Sequence, residues 1–417
     1  MKKIGAVALA LLMVAGMVFA AGGQETQGSI TVMQNKPEID AMLQEYGANW
    51  SEASGVGVTI KSVGGSSGTT LGQQLRADYA AGEMPDIFVI AGIEDYREWE
   101  SIILDLSGEQ WVNDTSVAFT VDGTVYGFPV AVEGWGMAYN ADILEAAGVD
   151  PEGLTNLEAY REAFATIDSM KDQLGLDSVV SMAASADMGW VTAHHNFNSF
   201  LSNGLPYGDM SVVEDLKAGE VDQNRLGQYA DWVELLFDYA DPTVLTTGNY
   251  DAQVGAFATG RAAFLHQGNW VDPNMESANA TFPMAFAPHG SMEQDTDGIF
   301  VSAPSFYVIN AESDNVEAAK QFLADMVYTD AGQDFMVNEA GMIPAFGNVD
   351  LNPTGQLSRS VQNWSGEGKV YSWNQYQFST EFRDQTLAPI YNRFATGQID
   401  KSQFVDLMTR AFEENAE

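Results

Sequence analysis

Four tryptophans stand in short, turn-rich segments beside glycine, amide or carboxylate residues. Trp135 lies in Glu133-Gly134-Trp135-Gly136, Trp190 follows Met188-Gly189, Trp270 closes Gly268-Asn269-Trp270, and Trp373 sits in Tyr371-Ser372-Trp373-Asn374. They belong to a set of nine tryptophans and fifteen tyrosines, not all of which helix packing obviously claims. A pyranose offers apolar C–H faces and a rim of hydroxyls, so a site for it needs aromatic planes for the faces and carboxylates or amides for the rim. Tryptophan beside Glu or Asn supplies both. A single large aromatic is as often simply buried, so the weight falls on the four together.

Other chemistries lack their residues. The Gly/Ser loop from Gly64 to Gly68 has no Gly-Lys-Ser/Thr ending to hold phosphate and metal. His194 and His195 are adjacent, so their rings diverge, and no helical His-x-x-x-His pair accompanies them; zinc asks for three or four convergent ligands. There is no cysteine, which removes thiolate chemistry, disulfides and cysteine lipidation. No metal or cofactor is implied. Carboxylates and aromatics in a cleft would also suit a secreted glycoside hydrolase, which needs two carboxyls at a defined separation. That is the alternative from another class; within binders, a non-sugar solute such as a polyamine or an oxyanion is the nearer alternative.

The formal charge of −40 repels nucleic acid and anionic membranes. The acidic residues are spread between apolar positions rather than massed in blocks, which reads as a soluble acidic surface. At the start, Lys2 and Lys3 precede an uncharged apolar stretch from Ile4 to Phe19 that ends in Ala20, Ala21, Gly22 and Gly23. This predicts a signal peptide over residues 1–21 and an exported product, periplasmic or otherwise extracytoplasmic. The chain beyond it is long enough for two compact domains or one two-lobed unit.

The elements that must position these residues alternate. Ser29 to Met33 reads as a strand, followed by a helix with Ile39, Met42, Leu43, Tyr46 and Trp50 on one face. Val58 to Val63 and Asp86 to Ile90 read as strands, with a helix through Leu71, Leu75 and Tyr79 between them. Thr155 and Glu158 form a capping-box pattern ahead of Leu157, Tyr160, Phe164 and Ile167. Ala262 to Leu265 reads as a buried strand, and Val316, Ala319, Leu323 and Met326 as a helix face. The alternation predicts an α/β fold with a largely parallel sheet.

In order along the chain, several segments resemble the extracellular solute-binding family of maltose and multi-sugar importers. They are Ala81-Gly82-Glu83-Met84-Pro85-Asp86-Ile87; Tyr126-Gly127-Phe128-Pro129 with Met137-Ala138-Tyr139-Asn140; Ala256 to Ala263 with Gly268-Asn269-Trp270; and Ala318 to Phe322 with Gly341 to Ala345. Each is weak alone; their order is specific. The resemblance implies a two-lobed periplasmic-binding-protein fold (type II), with ligand at the carboxyl ends of the strands. It implies capture of a sugar or oligosaccharide, no enzymatic activity, an ABC-transporter permease as partner, and a monomer. The expected lobes are 24–131 plus 286–330, and 132–285 plus 331–417, with hinge crossings near 129–134, 281–288 and 328–332. The resemblance places Asn35 and Lys36 after the first strand, Asp95 after the Ile87 to Ile90 strand, Glu133 at the first crossing, and Trp270 and Trp373 on the sugar face. Glu38 and Trp190 are added for their nearness to those turns. Many relatives carry a lipidated cysteine where this chain has Gly22 and Gly23.

Overall fold

The computed structural model describes residues 28–64 and 69–416. The expected signal peptide, and residues 65–68 of the Gly/Ser loop, lie outside them. The first five strands, β1 (Ser29–Gln34), β2 (Gly57–Ser62), β3 (Ile87–Ile90), β4 (Phe119–Val121) and β5 (Thr124–Pro129), fall in one sheet. The next five, β6 (Glu133–Asn140), β7 (Ser178–Ser181), β8 (Ala262–Gly268), β9 (Met284–Ala287) and β10 (Ile299–Ser302), fall in a second. The chain then returns to the first sheet with β11 (Phe306–Ile309) and to the second with β12 (Val370–Tyr371). The first sheet runs β2-β1-β3-β11-β5-β4; the second runs β12-β10-β6-β8-β7, with β9 also on β6.

Each sheet is covered by helices whose apolar faces follow from their spacing. Leu43, Tyr46 and Trp50 of the helix Asp40–Ser54 join Ile30, Val32 and Ile87 in the first core. Tyr160, Phe164 and Ile167 of Leu157–Ser169 join Val179, Val180 and Phe264 in the second.

Three expectations are corrected. The sheets are mixed rather than largely parallel: β1 runs parallel to β2 and β3, but β11 is antiparallel to both its neighbours. The N-cap of Leu157–Ser169 is Asn156, which accepts from Ala159 N at 2.9 Å, while the Thr155 hydroxyl donates to Asp295. The division of the chain also moves. Residues 286–330 were expected with the first lobe, yet β9 and β10 pair with β6 of the second sheet, so the second crossing lies between Ser302 and Phe306. Residues from 331 were expected with the second lobe, yet Phe335, Met336, Phe346 and Val349 pack in the first core, and Leu357 and Val361 in the second lobe. The third crossing therefore falls between Val349 and Leu357. Short buried strands such as β9 and β10 carry no sequence mark of which sheet they join.

Candidate functional site

The turn after β1 is built by Gln34, whose buried amide donates to the Lys36 carbonyl at 2.9 Å and accepts from Lys36 N at 2.5 Å. This clamp presents Asn35, Lys36 and Glu38 at the carboxyl end of the sheet. After β3, Asp95 enters on the helix Ile93–Trp99 and accepts from Ala91 N at 2.8 Å. From the other sheet, Glu133 is the first residue of β6. The turn after β8 explains its own motif. A Cβ on Gly268 would come within 2.0 Å of the Trp270 ring, so only glycine lets the indole fold back over the strand end. Asn269 accepts from Gly134 N at 2.9 Å and donates to Ser358 Oγ, and Trp270 Nε1 donates to Gln267 at 3.0 Å.

These turns face one another across a cavity of about 380 Å³. Asn35, Lys36, Glu38 and Asp95 line one wall; Glu133, Trp190, Trp270 and Trp373 line the other. Of the nine residues named from sequence, the exception is Trp135. It lies on the same face of β6 as Glu133 but one pleat further in, where His195 of the segment Val191–Asn196 stacks over it. Its ring stacks on Phe300 at 4.3 Å, fully buried.

The residue that sequence reasoning set aside is His195. Its ring centroid lies 4.9 Å from Trp270, 5.4 Å from Trp190, 5.5 Å from Trp373 and 5.6 Å from Trp135. The imidazole is thus the shared support of the aromatic wall, with Trp135 behind it. Burial pushes its pKa well below the usual histidine value, and the nearby His194 adds to that, so it is neutral. Tyr250, Tyr376, Arg383 and Asp384 also line the cavity and had no local motif to announce them. Among the described residues, no group of three or more His, Cys, Asp or Glu side chains is arranged to hold a metal ion.

The charges are paired. Lys36 Nζ donates to Glu133 Oε1, both nearly buried, which joins the two walls by an ion pair. Burial works against the Lys36 charge, but Glu133 and Glu38 outweigh it and raise the ammonium's pKa. Glu38 is pushed up to about 7 by loss of solvent, against the pull of Lys36.

The sequence itself matches a known family over most of its length. Residues 41–363 fit the model of the bacterial extracellular solute-binding proteins. The chain belongs to that family. A maltooligosaccharide ABC transporter solute-binding lipoprotein of Streptococcus pneumoniae is 22% identical over 362 residues, 82% of this chain and 79% of that one. Among solved structures, a sugar transporter protein of Bacillus licheniformis in complex with stachyose superposes with a TM-score of 0.73 at 15% identity, over 93% of this chain and 100% of that one. A chitin oligosaccharide binding protein gives 0.73 at 18% identity, over 93% and 98%. The solute-binding protein RafE in complex with raffinose gives 0.71 at 16% identity, over 93% and 100%. The fold of this family member is accordingly the two-lobed periplasmic-binding-protein fold. No helix among the described residues is long and apolar enough to cross a membrane.

Proposed function

We propose that this chain captures an oligosaccharide in the cleft between its lobes and passes it, chemically unchanged, to the permease of an ABC importer. The observation that carries this reading is the pairing of opposite walls. Trp190, Trp270 and Trp373 offer aromatic planes on one side, while Asn35, Glu38 and Asp95 offer hydroxyl partners on the other. The volume sits within the usual range for small-ligand sites, about 300–1,000 Å³. The named relatives bind or carry maltooligosaccharide, stachyose, raffinose and chitin oligosaccharide, which supports an oligosaccharide over a single sugar. The reading includes export by the signal peptide over residues 1–21, a monomeric product, and lobes made of 28–131 with 304–349 and 132–302 with 350–416.

One observation favours a second reading, glycoside hydrolysis: loss of solvent pushes Glu38 up to about 7 in a cleft that also holds Glu133, and that chemistry uses a carboxyl with a raised pKa. Against it, Lys36 already occupies one Glu133 oxygen. The test is to incubate the protein with raffinose, stachyose and maltooligosaccharides, separate bound from free, and weigh both by mass spectrometry. Retention of an intact oligosaccharide is the expected result; shorter products in the free fraction would establish hydrolysis instead.

A further inference from the structure

Contacts cross the mouth of the cleft from the helix Ile93–Trp99 of the first lobe. Glu94 lies 3.7 Å from Lys217 Nζ, and the Thr380 hydroxyl donates to Asp95 Oδ1 at 3.2 Å. Gly92 passes so close to Tyr376 that a Cβ there would stand 2.8 Å from the tyrosine Cβ. The Thr380 hydroxyl is oriented, because Arg383 Nη2 donates to its oxygen at 3.0 Å and so directs its proton towards Asp95. Arg383 is itself buried and held on every side. Its Nε donates to the Phe378 carbonyl at 3.1 Å, its guanidinium lies 5.0 Å from the Tyr376 ring centroid, and its Nη1 meets His194 Nδ1 at 2.6 Å.

A guanidinium can only donate, so His194 Nδ1 accepts. The proton of His194 is then on Nε2, donated to Asp384 Oδ1 at 2.7 Å. His194 is therefore neutral in this arrangement, and a second proton would have to enter at Nδ1, directly against Arg383. His194 lies in the π-helical turn Val191–Asn196, and Arg383 and Asp384 in the π-helical turn Phe382–Leu387. Such turns appear frequently at functional sites.

We propose that Asp95 and Thr380 form a latch that favours the closed arrangement of the lobes, that Arg383 positions the Thr380 hydroxyl, and that neutral His194 holds Arg383, so that acid releases the latch. The charged and titratable groups facing His194 are Arg383 and Asp384 from the second π-helical turn, Asp95 from the opposite lobe, His195 beside it, and Tyr376 behind Arg383. Burial and then Arg383 lower the His194 pKa; Asp384 and Asp95 oppose them without cancelling them. The folded second lobe thus prefers the neutral imidazole, and a proton added at Nδ1 meets Arg383 and displaces it from the place where it orients Thr380. The support that neutral His194 gives the latch is complete above the ordinary histidine value of about 6.5 and is lost as pH falls through and below that value. The latch extends the solute-capture reading, on which its purpose rests but its geometry does not.

The chain has no cysteine, so Glu83→Cys and Glu220→Cys, both at exposed positions and one in each lobe, can be spin-labelled without background. Distance distributions of the ligand-free protein at about pH 7.5 and about pH 5 then report the closed-to-open ratio on either side of the histidine range. The wild-type ratio is expected to fall about tenfold on acidification, and Thr380→Val or Asp95→Asn to lower it by about as much at the higher pH, the scale of one hydrogen bond to a charged group. Thr380→Ser, which keeps the hydroxyl, should restore it. His194→Gln, whose amide can accept from Arg383 and donate to Asp384, should keep the ratio high at both pH values. An unchanged distribution in Thr380→Val, or wild-type pH dependence in His194→Gln, would overturn the latch. Should Thr380→Val fold poorly, Asp95→Asn reports the same bond from the other lobe. No sugar enters the experiment, so its failure and a failure of solute capture are distinguishable.

Discussion

At the residue scale, the aromatic wall and the ion pair make separable predictions. Trp270 presents a partly exposed indole held by His195 and Gln267. Loss of an aromatic plane packed on a sugar face is worth about 1–3 kcal/mol. Trp270→Ala should therefore weaken binding by about one to two decades in a calorimetric titration, with the fold intact. Glu133 behaves differently, because its carboxylate is bound to Lys36 as well as facing the cavity. Glu133→Gln leaves a nearly buried ammonium with only Glu38 for a counter-charge, a loss of about 1–3 kcal/mol. Both the ligand-free melting temperature and the affinity should fall; an unchanged melt would mean that the pair does not form in solution. The family resemblance pointed to Asn35, Lys36, Asp95 and Glu133, and nearness to the first turn to Glu38; all five line the cavity. His195, Tyr250, Arg383 and Asp384 were not legible, since they come from helical turns brought to the cavity by packing alone.

At the scale of elements, Trp135 shows how a tryptophan set between glycines misleads, because its segment is the strand β6 and not a turn. It shares a face with Glu133, but the covering π-helical turn makes it core, stacked on Phe300 and backing His195. No propensity scale predicts an extra residue in a helical turn, so that cover was invisible from sequence. Trp135→Ala opens a cavity in a packed core and should cost about 3–5 kcal/mol, seen as a lowered melting temperature. Because the lost ring supports His195, the three cleft tryptophans should also lose part of their near-UV circular dichroism below the melt. A near-native melt with normal affinity would assign Trp135 a passive place. The helices themselves were readable from their apolar spacing: Leu43, Tyr46 and Trp50, or Tyr160, Phe164 and Ile167, recur at intervals that only a helix puts on one face.

For the whole molecule, the order of motifs along the chain was enough to indicate the family, but the positions of the crossings were not. The first crossing is marked by Pro129 and Gly134 between two apolar strands; the later ones are set by which sheet β9, β10 and the segment Phe335–Val349 can pair with or pack on, a property of distant partners. The walls thus assembled place Trp190, Trp270 and Trp373 around the space a solute would fill. An occupant of that space must change their emission. The most direct measurement is a titration of the purified protein with mono-, di-, tri- and tetrasaccharides, followed by intrinsic tryptophan fluorescence, with a polyamine and an oxyanion carried alongside. Saturable change with at least one oligosaccharide, and none with the two controls, is the predicted result; silence across the sugars, or saturation by the polyamine or the oxyanion instead, would contradict the assignment of this cleft to oligosaccharide capture.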